Sequence, residues 1–307
     1  MKRELQAAGI TDPALIASYQ ECKRLNSEHG KTYYLATLLL PPEKRPFVHA
    51  LYGFARYADE IVDDLASTLS PQQKADALRT WGDQILTDIR RGQSQDSIGR
   101  AFVDTITRWQ IPVEHVEAFL HSMAMDLTVT EYQTFADLYE YVYGSAAVIG
   151  LQMVPILEPL SPEAWEPAKT LGIAFQMANF IRDVGEDLER GRVYLPLQEL
   201  AEHGVTRDHL EQRVVTPEVR AALAAQIARV RAWQSEADAG IDLLHPTSRP
   251  CIRAASELYC GIVDEVEAID FQVFTRRAKT STARRLGVAL PAWVAAIRAR
   301  RTLAAAV

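Results

Sequence analysis

A cluster of carboxylates in the segment "ARYADEIVDDLAS" (55–67) is the first feature that could do chemistry. Its acidic residues are Asp59, Glu60, Asp63 and Asp64, and its other residues are mostly apolar. On a helix, at about 100° per residue, Asp59 and Asp63 lie nearly above one another, with Arg56 one turn earlier. Unpaired buried carboxylates are costly, so the cluster raises the question of which positive charge it holds. Taken alone, such a pair is also typical of a solvated surface.

A second column of polar residues occurs in "FQMANFIRDVGEDLERGRVYLP" (175–196). Its members are Gln176, Asn179, Asp183 and Asp187, at spacings of three, four and four. On a helix they share an arc of about 80°. The preceding residues are almost wholly apolar, so this face is expected to look inward. Two columns of oxygen ligands without Cys or His favour a hard cation such as Mg²⁺.

The two columns together could hold more than one Mg²⁺ ion with a diphosphate between them. Mg²⁺ takes one or two carboxylates and leaves its other positions to water or to phosphate oxygens. Arg56 and Arg182 lie beside the columns and would donate to the same anion. A di-iron site is disfavoured, because none of the seven histidines has a glutamate three residues before it. The chain also lacks a G-x-G-x-x-G turn and a P-loop.

The elements that must position these columns are helices. Five segments place Ser, Thr or Asp just before a proline, which is typical of a helix start: "TDPAL", "LSPQQ", "LSPEAW", "VTPEV" and "SRPCI". Between them apolar residues recur at spacings of three and four. The sequence therefore predicts an all-α fold of ten or more helices, in a single domain over 1–307.

Composition excludes several classes of protein. The chain has 307 residues, 48% hydrophobic, with a formal net charge of −7, which argues against a nucleic-acid partner. The three cysteines are an odd number at unrelated spacings, as expected in a reducing cytoplasm. The N-terminus is interrupted by charges and no apolar stretch reaches the length of a membrane span. We expect a cytoplasmic protein that at most lies on the inner face of the membrane.

The motifs resemble those of the squalene/phytoene synthase family. "DEIVD" (59–63) and "NFIRDVGED" (179–187) are similar to its two aspartate-rich motifs. Further stretches agree: "HGKTYYLATLLLPPEKR" (29–45), "ALYGFARYADEIVDD" (50–64), "RGRVYLP" (190–196) and "FTRRAKTS" (274–281). The similarity covers essentially the whole chain and is greatest to bacterial members that make phytoene. It implies an isoprenoid-synthase helical bundle around a deep apolar cavity, with Mg²⁺ ions at its mouth.

Residue roles follow from this resemblance. It implies that the metal ligands are Asp59, Asp63, Asn179, Asp183 and Asp187, four of which, the aspartates, are catalytic together with Arg56. It implies that the residues contacting substrate are His29, Lys31, Thr32, Tyr52, Arg56, Gln176, Arg182 and Tyr259. Aromatic faces could stabilise a carbocation in the cavity; the candidates are Tyr33, Tyr34, Tyr52, Tyr141, Tyr143 and Phe175. For any one of them, plain core packing is the favoured alternative.

The implied reaction joins two prenyl diphosphates head to head through a cyclopropylcarbinyl diphosphate. Two geranylgeranyl diphosphates would give phytoene without NADPH. Small residues that could leave room for long tails are Ala36, Thr37, Gly53 and Ala55. One alternative is a C30 product from farnesyl diphosphate: squalene, dehydrosqualene or presqualene diphosphate. Another is a non-catalytic binding or assembly protein, which the intact motif aspartates disfavour.

Three local features leave interpretations open. In "YVYGSAAVIG" (141–150), Ala147 and Val148 stand where many members have Gly and Thr; we expect the helix to persist there. Gly185 indicates either close approach of substrate or a loosened helix end, and Gly191 is predicted to cap that helix. Arg190, Arg192 and Tyr194 follow either in a loop that closes over the diphosphates or in a plain surface loop.

The C-terminal segment 271–307 carries eight basic residues and no acid. One interpretation is a final helix that packs its apolar stripe on the core and leaves a solvated basic face, and this one is favoured. The other is a helix that lies on an anionic membrane.

Overall fold

A computed structural model describes residues 1–63 and 69–306, apart from the side chains of residues 63 and 304–306. About 75% of the chain is helical, and the described part contains two isolated β-bridges but no strand. The helices are α1 (Lys2–Ala7), α2 (Pro13–His29), α3 (Lys31–Thr37), α4 (Arg45–Asp63), α5 (Pro71–Arg91), α6 (Gly99–Trp109), α7 (Val113–Met125), α8 (Phe135–Val142), α9 (Val148–Leu157), α10 (Trp165–Glu189), α11 (Leu197–Glu202), α12 (Arg207–Glu211), α13 (Pro217–Ala239), α14 (Arg249–Cys260), α15 (Ile262–Ala268) and α16 (Thr282–Ala306). The predicted all-α fold is confirmed as a single helical domain. That this domain extends over all of 1–307 stays a prediction.

All five proline-marked starts begin helical structure as predicted, and at four of them the predicted side chain caps the first turn. The side chains of Asp12, Ser70 and Thr216 each accept a hydrogen bond from a backbone N–H in the first turn of α2, α5 and α13. Ser161 caps a short 3₁₀ turn that leads into α10. Ser248 is the exception, because its hydroxyl accepts a hydrogen bond from the buried Lys44 at 3.0 Å instead of capping α14.

Two apolar clusters form the core, and helix α10 lies centrally in the second. The first is built largely on α2, α4, α6 and α7, where Phe54 stacks on Phe102 with ring centroids 3.8 Å apart. The second is built largely on α10, α13 and α15. Tyr143, Phe175 and Ile252 pack against both clusters. These shared contacts place α10 beside a space that both clusters border.

The segment "YVYGSAAVIG" differs from its prediction in one respect. Residues Tyr143–Ala147 form a π-helical turn between α8 and α9 rather than continuous α-helix. Single π turns of this kind occur inside α-helices, frequently at functional sites. Ala147 and Val148 are fully buried. Within the described residues, Phe135–Leu157 is the one helical segment long and apolar enough to cross a membrane, and 61% of its most apolar window is buried in the protein.

Candidate active site

A largely apolar cavity of about 280 Å³ lies between α3, α4, α9, α10 and α14. One face of α10 forms a long side of it, since the residues that line it there recur at spacings of three and four. They are Ala164, Pro167, Ala168, Leu171, Gly172, Phe175, Gln176 and Asn179. At 1.5 Å per residue, the fifteen steps from Ala164, just before α10, to Asn179 span about 22 Å. The cavity is therefore long, and its polar end is the end at Asn179.

Both aspartate columns lie beyond the polar end of the cavity. Tyr33 lies with its ring 6.2 Å from that of Tyr52 on α4 and 4.5 Å from that of Tyr259, which in turn stacks on Phe175 of α10 at 4.8 Å. The rings thus set Tyr52 and Phe175 at one level. On both α4 and α10, most residues that line the cavity lie N-terminal to this level. The aspartates lie about two turns C-terminal to it.

The first column is open to solvent and is paired with arginine. Arg56 donates to Asp59 at 2.9 Å and to Glu60 at 3.1 Å. The side chain of Asp59 is 47% exposed, so this carboxylate lies at the mouth rather than inside the cavity. Asp63 is the last residue of α4, and its side chain, like the whole of Asp64, lies outside the described residues. Its predicted role as a ligand stays a prediction.

The second column is more buried. The side chain of Asp183 is 16% exposed and accepts hydrogen bonds from Arg182 at 2.7 Å and from Arg277. Arg277 also forms an ion pair with Glu186 at 3.3 Å. The segment 274–281 was noted only for its resemblance, so the contact of Arg277 with Asp183 was missed. The run of basic residues there was a signal that could have found it.

Asp187 has a strongly perturbed carboxyl group. Burial and the negative charge of nearby Asp183 raise its pKa to about 7, although Arg190 and Arg192 oppose the shift. A carboxyl in this position resists ionisation until a cation compensates it. This is the electrostatic signature expected of a site that binds a positive ion.

The donor set fits Mg²⁺ in its chemistry. It consists of the carboxylates of Asp59, Asp183 and Asp187 and of the amides of Gln176 and Asn179, all of which supply oxygen. The two amide side chains have no hydrogen-bond partner among the described residues. Within that same part of the chain, no three His, Cys, Asp or Glu side chains form a ready cluster for a metal. Binding an ion would therefore bring in the side chain of Asp63, the amides, water or substrate oxygens.

The predicted substrate residues fall into two groups. Tyr52 and Gln176 line the cavity, and burial raises the pKa of Tyr52 to about 12. Tyr259 is 9% exposed and packs behind Tyr33. The other group lies where α2 meets α3, with His29 and Lys31 exposed and Thr32 half-buried. Gly30 holds this corner against Tyr52, because a side chain at Gly30 would come within 2.5 Å of the ring.

The predicted aromatic lining is correct in part. Tyr33, Tyr52 and Phe175 border the cavity, and Phe119, which was not predicted, joins them. Tyr34, Tyr141 and Tyr143 do not line it, so for them the alternative of plain packing applies. Tyr34 stacks on His49, while Tyr143 lies beside Tyr139. Helical spacing alone could not separate these faces, because aromatic residues lie on more than one side of α3 and of the helical segment 135–147.

The small residues divide in the same way. Ala36, Thr37 and Ala55 line the cavity as expected. Gly53 does not, because it faces Cys22, whose sulfur would lie 2.8 Å from a Cβ at this position. Ala147 and Val148 are also absent from the wall, which is formed in that segment by Ser145, Ala146, Ile149 and Gly150. The two unusual residues therefore do not border the cavity directly.

A buried hydrogen-bond network anchors the loop after α10, and its centre, Asp126, was not predicted. Asp126 accepts hydrogen bonds from Tyr141 at 2.6 Å and from Tyr194 at 2.8 Å. Arg192 donates to its backbone carbonyl at 2.7 Å, and Tyr194 stacks on Phe180 at 4.2 Å. Tyr194 is thus a fixed anchor of the loop. No motif marks Asp126 in the sequence, so only the fold reveals it.

The two glycines of this region have distinct roles. A Cβ at Gly185 would lie 2.5 Å from the carbonyl oxygen of Val273 and 3.0 Å from the Cα of Phe274. Neither predicted explanation of Gly185 is correct, since the close neighbour is the backbone of the chain itself. Gly191 follows the end of α10 with φ +75°, and its predicted capping role is confirmed.

Comparison with known proteins places this geometry in a family. The sequence profile described as squalene/phytoene synthase matches residues 26–284. The chain belongs to the squalene/phytoene synthase family. Phytoene synthase of Daucus carota is 38% identical over 299 residues, which are 94% of this chain and 73% of that protein. Phytoene synthase 2 of Solanum lycopersicum is 38% identical over 280 residues, or 89% and 88% of the two chains.

A solved structure supports the fold. The crystal structure of a dehydrosqualene synthase in complex with ligand superposes with a TM-score of 0.83, at 24% identity, over 94% of this chain and 97% of that one. Members of the squalene/phytoene synthase family are prenyltransferases that act on prenyl diphosphates, and this chain is a prenyltransferase. The apolar cavity with acidic and basic groups at one end suits an amphiphile with a long hydrocarbon tail and a charged head.

Proposed function

We propose that the protein condenses two molecules of geranylgeranyl diphosphate head to head and forms phytoene, in carotenoid biosynthesis. The observation that carries the proposal is the long apolar cavity that ends at two aspartate columns. The phytoene synthases at 38% identity support it. A face of about 22 Å on α10 suits an extended C20 tail.

The charged residues would bind the diphosphates. Asp59, Asp63, Asp183 and Asp187, with Asn179, would hold Mg²⁺, which when bound supplies a Lewis acid for the departing pyrophosphate. Arg56, Arg182 and Arg277 lie on the same carboxylates and would donate hydrogen bonds to the diphosphate oxygens. Their present ion pairs keep these guanidinium groups at the mouth.

The apolar wall would protect the carbocation. Ionisation breaks the C–O bond of one substrate and releases pyrophosphate. The double bond of the other substrate attacks the resulting cation, and loss of a proton closes the ring to give a cyclopropylcarbinyl diphosphate. A second ionisation, rearrangement and loss of a proton would give the conjugated triene of phytoene. The wall excludes water, and the faces of Tyr33, Tyr52 and Phe175 can each stabilise positive charge by roughly 0.5–2 kcal/mol.

Product analysis tests this proposal. Purified protein with Mg²⁺ is incubated with geranylgeranyl or farnesyl diphosphate, with and without NADPH, and the hydrocarbon is identified by mass spectrometry. We expect phytoene from the C20 substrate, independent of NADPH. A C30 hydrocarbon in preference to phytoene, or a product that requires NADPH, would refute the substrate assignment.

A further inference from the structure

Helix α16 is attached to the rest of the protein along one face. Val288 and Ala296 are buried, and the helix packs on α14. Arg284 binds Asp264 at 2.6 Å near its start, and Arg300 donates to the backbone carbonyl of Leu40 at 3.0 Å near its end. The helix is thus held at both ends by arginines, and its orientation is fixed.

The opposite face of α16 exposes large apolar side chains. Leu286, Leu290, Trp293 and Val294 are 54%, 59%, 56% and 41% exposed. Their spacing of four, three and one puts them on one stripe of the helix. The prediction that the apolar stripe packs on the core is therefore wrong for its large members, because small residues make the buried contact instead. We call these four residues the outer face.

The segment that carries the outer face has charges of one sign only. Arg298 and Arg301 are exposed beyond its C-terminal end, and Arg276, Arg277 and Lys279 are exposed in the segment before α16. From residue 271 to the end of the chain there is no acid, although the whole chain carries −7. An apolar stripe with a tryptophan, on a segment whose own charged residues are all cationic, is complementary to an anionic lipid surface.

We propose that the outer face of α16 docks on a membrane that contains anionic lipids. A second copy of the chain is a poorer occupant, because a two-fold contact through this face would set one cationic helix against another. The inner neighbour of α16 is α14, whose residues Cys251, Ile252 and Ala255 line the cavity. Docking would therefore bring the bilayer within one helix of the cavity and shorten the path of a water-insoluble product.

Vesicle binding tests this surface without substrate, so its outcome is independent of the proposed reaction. The full chain is sedimented with vesicles of phosphatidylcholine alone or mixed with phosphatidylglycerol. We expect binding to the mixed vesicles, weakened by added salt because the charge contribution is screened. A shift of Trp293 fluorescence toward the blue should accompany it and disappear in Trp293→Ser.

Two pairs of matched variants separate the apolar and the cationic contributions. Leu290→Ser with Trp293→Ser should weaken binding by roughly tenfold or more, whereas Leu160→Ser with Val214→Ser, which removes equally exposed side chains elsewhere, should not. Arg298→Gln with Arg301→Gln should weaken it by roughly 25-fold. Arg90→Gln with Arg91→Gln makes the same change of net charge on α5 and should have little effect.

Several outcomes would overturn the proposal. One is failure of the wild-type chain to bind the anionic vesicles. A second is equal loss of binding in the outer-face variants and in their matched controls. A third is a dimer, detected by sedimentation velocity, that the Leu290→Ser and Trp293→Ser substitutions dissociate, since that would assign the outer face to a second copy.

Discussion

Two of the motif carboxylates at the cavity mouth, Asp59 and Asp183, have arginine partners, and this pairing explains how these two charges are tolerated before any ligand binds. Arg56 pairs with Asp59, while Arg182 and Arg277 pair with Asp183. The same guanidinium groups are suited to bind a diphosphate, because each has several donors in a planar fork. When a diphosphate and cations bind, the arginines can therefore pair with the diphosphate and the carboxylates with the cations, so that no buried charge is left unpaired.

Asp183→Asn should lower turnover by roughly 100-fold or more while the fold is kept. The amide preserves the shape of the side chain but removes the charge that would hold a divalent cation and position the diphosphate. Steady-state product formation at saturating Mg²⁺ measures the loss, and circular dichroism checks the fold. Asp83→Asn, an exposed aspartate on α5, is the control and should have wild-type activity. Full activity of Asp183→Asn would contradict the assigned role.

The raised pKa of Asp187 predicts a pH effect on stability. Its folded-state pKa of about 7 lies above the ordinary 3.8, so the folded state retains a proton that the unfolded state loses. The free energy of unfolding therefore falls as the pH rises from about 4 to about 7 and then levels off. The full shift corresponds to about 4 kcal/mol, which solvent screening at the mouth should reduce to about 1–2 kcal/mol.

Asp187→Asn should remove this penalty in metal-free protein. The variant should match the wild type near pH 4 and unfold at higher temperature than it above pH ~7. Thermal unfolding in EDTA across this range measures the difference. Added Mg²⁺ should stabilise the wild type more than the variant. An unfolding temperature of the variant that follows the wild type at every pH would show that Asp187 does not titrate in this way.

At the scale of elements, the contact between α10 and the segment 271–279 places Arg277 beside Asp183 of the second column. Gly185 permits it, because the backbone of Val273 and Phe274 passes where a side chain would stand. Arg277 follows three residues later and reaches Asp183. A glycine midway between the two motif aspartates Asp183 and Asp187 is thus explained by packing of the chain against itself.

Gly185→Ala should destabilise the protein by about 1–3 kcal/mol, because the clash exceeds the gain of about 0.5–1 kcal/mol in helix propensity. Gly287→Ala is the matched control, since nothing lies within 4 Å of its added Cβ in α16, and it should stabilise slightly. Urea unfolding measures both. Stabilisation of similar size in the two variants would contradict the close contact.

The helices and their faces were predictable to different degrees. Helix starts at Asp12, Ser70 and Thr216 followed from local capping chemistry, which needs only neighbouring residues. Ser248 did not follow it, because Lys44, two hundred residues away, takes its hydroxyl. The orientation of Gly53 toward Cys22 and the π turn at Tyr143–Ala147 also depend on distant partners. Periodicity identifies a buried face but does not reveal which space that face borders.

At the scale of the whole molecule, the length of the cavity should determine the length of the substrate. Ala168 lies on α10 eleven residues before Asn179, which places it about 16 Å from the polar end. A larger side chain there would fill the far end and leave the mouth unchanged. The carboxylates lie at one end of this face of α10 and Ala168 lies near the other. A larger residue at Ala168 should therefore affect binding of the prenyl tail and not of the diphosphate.

The series Ala168→Val, Ala168→Leu and Ala168→Phe should shift the ratio of kcat/KM from geranylgeranyl toward farnesyl diphosphate in steps, by roughly tenfold or more for phenylalanine. Competition between the two substrates, with both products quantified, measures the ratio. Ala168→Ser is the control and should leave it unchanged. Equal loss with both substrates would indicate damage to the fold rather than a shortened cavity.

The overall arrangement was predictable because two columns of oxygen ligands on largely apolar helices favour a shared ion between them. The resemblance then identified the space between them as the mouth of a cavity. Sequence could not show that Asp59 is half exposed while Asp183 is largely buried, since this depends on how far each helix extends past the cavity. It also could not locate Asp126, which acts through tyrosines contributed by two separate segments.

The most direct test of the account is a crystal structure with Mn²⁺ in place of Mg²⁺ and an unreactive thio-analogue of geranylgeranyl diphosphate, in which anomalous scattering locates the ions. We predict ions bonded to carboxylates of both α4 and α10, with the diphosphate between them and the tail directed toward Ala168. Ions confined to one helix, or a diphosphate bound away from the mouth with the aspartates still paired to arginine, would contradict it.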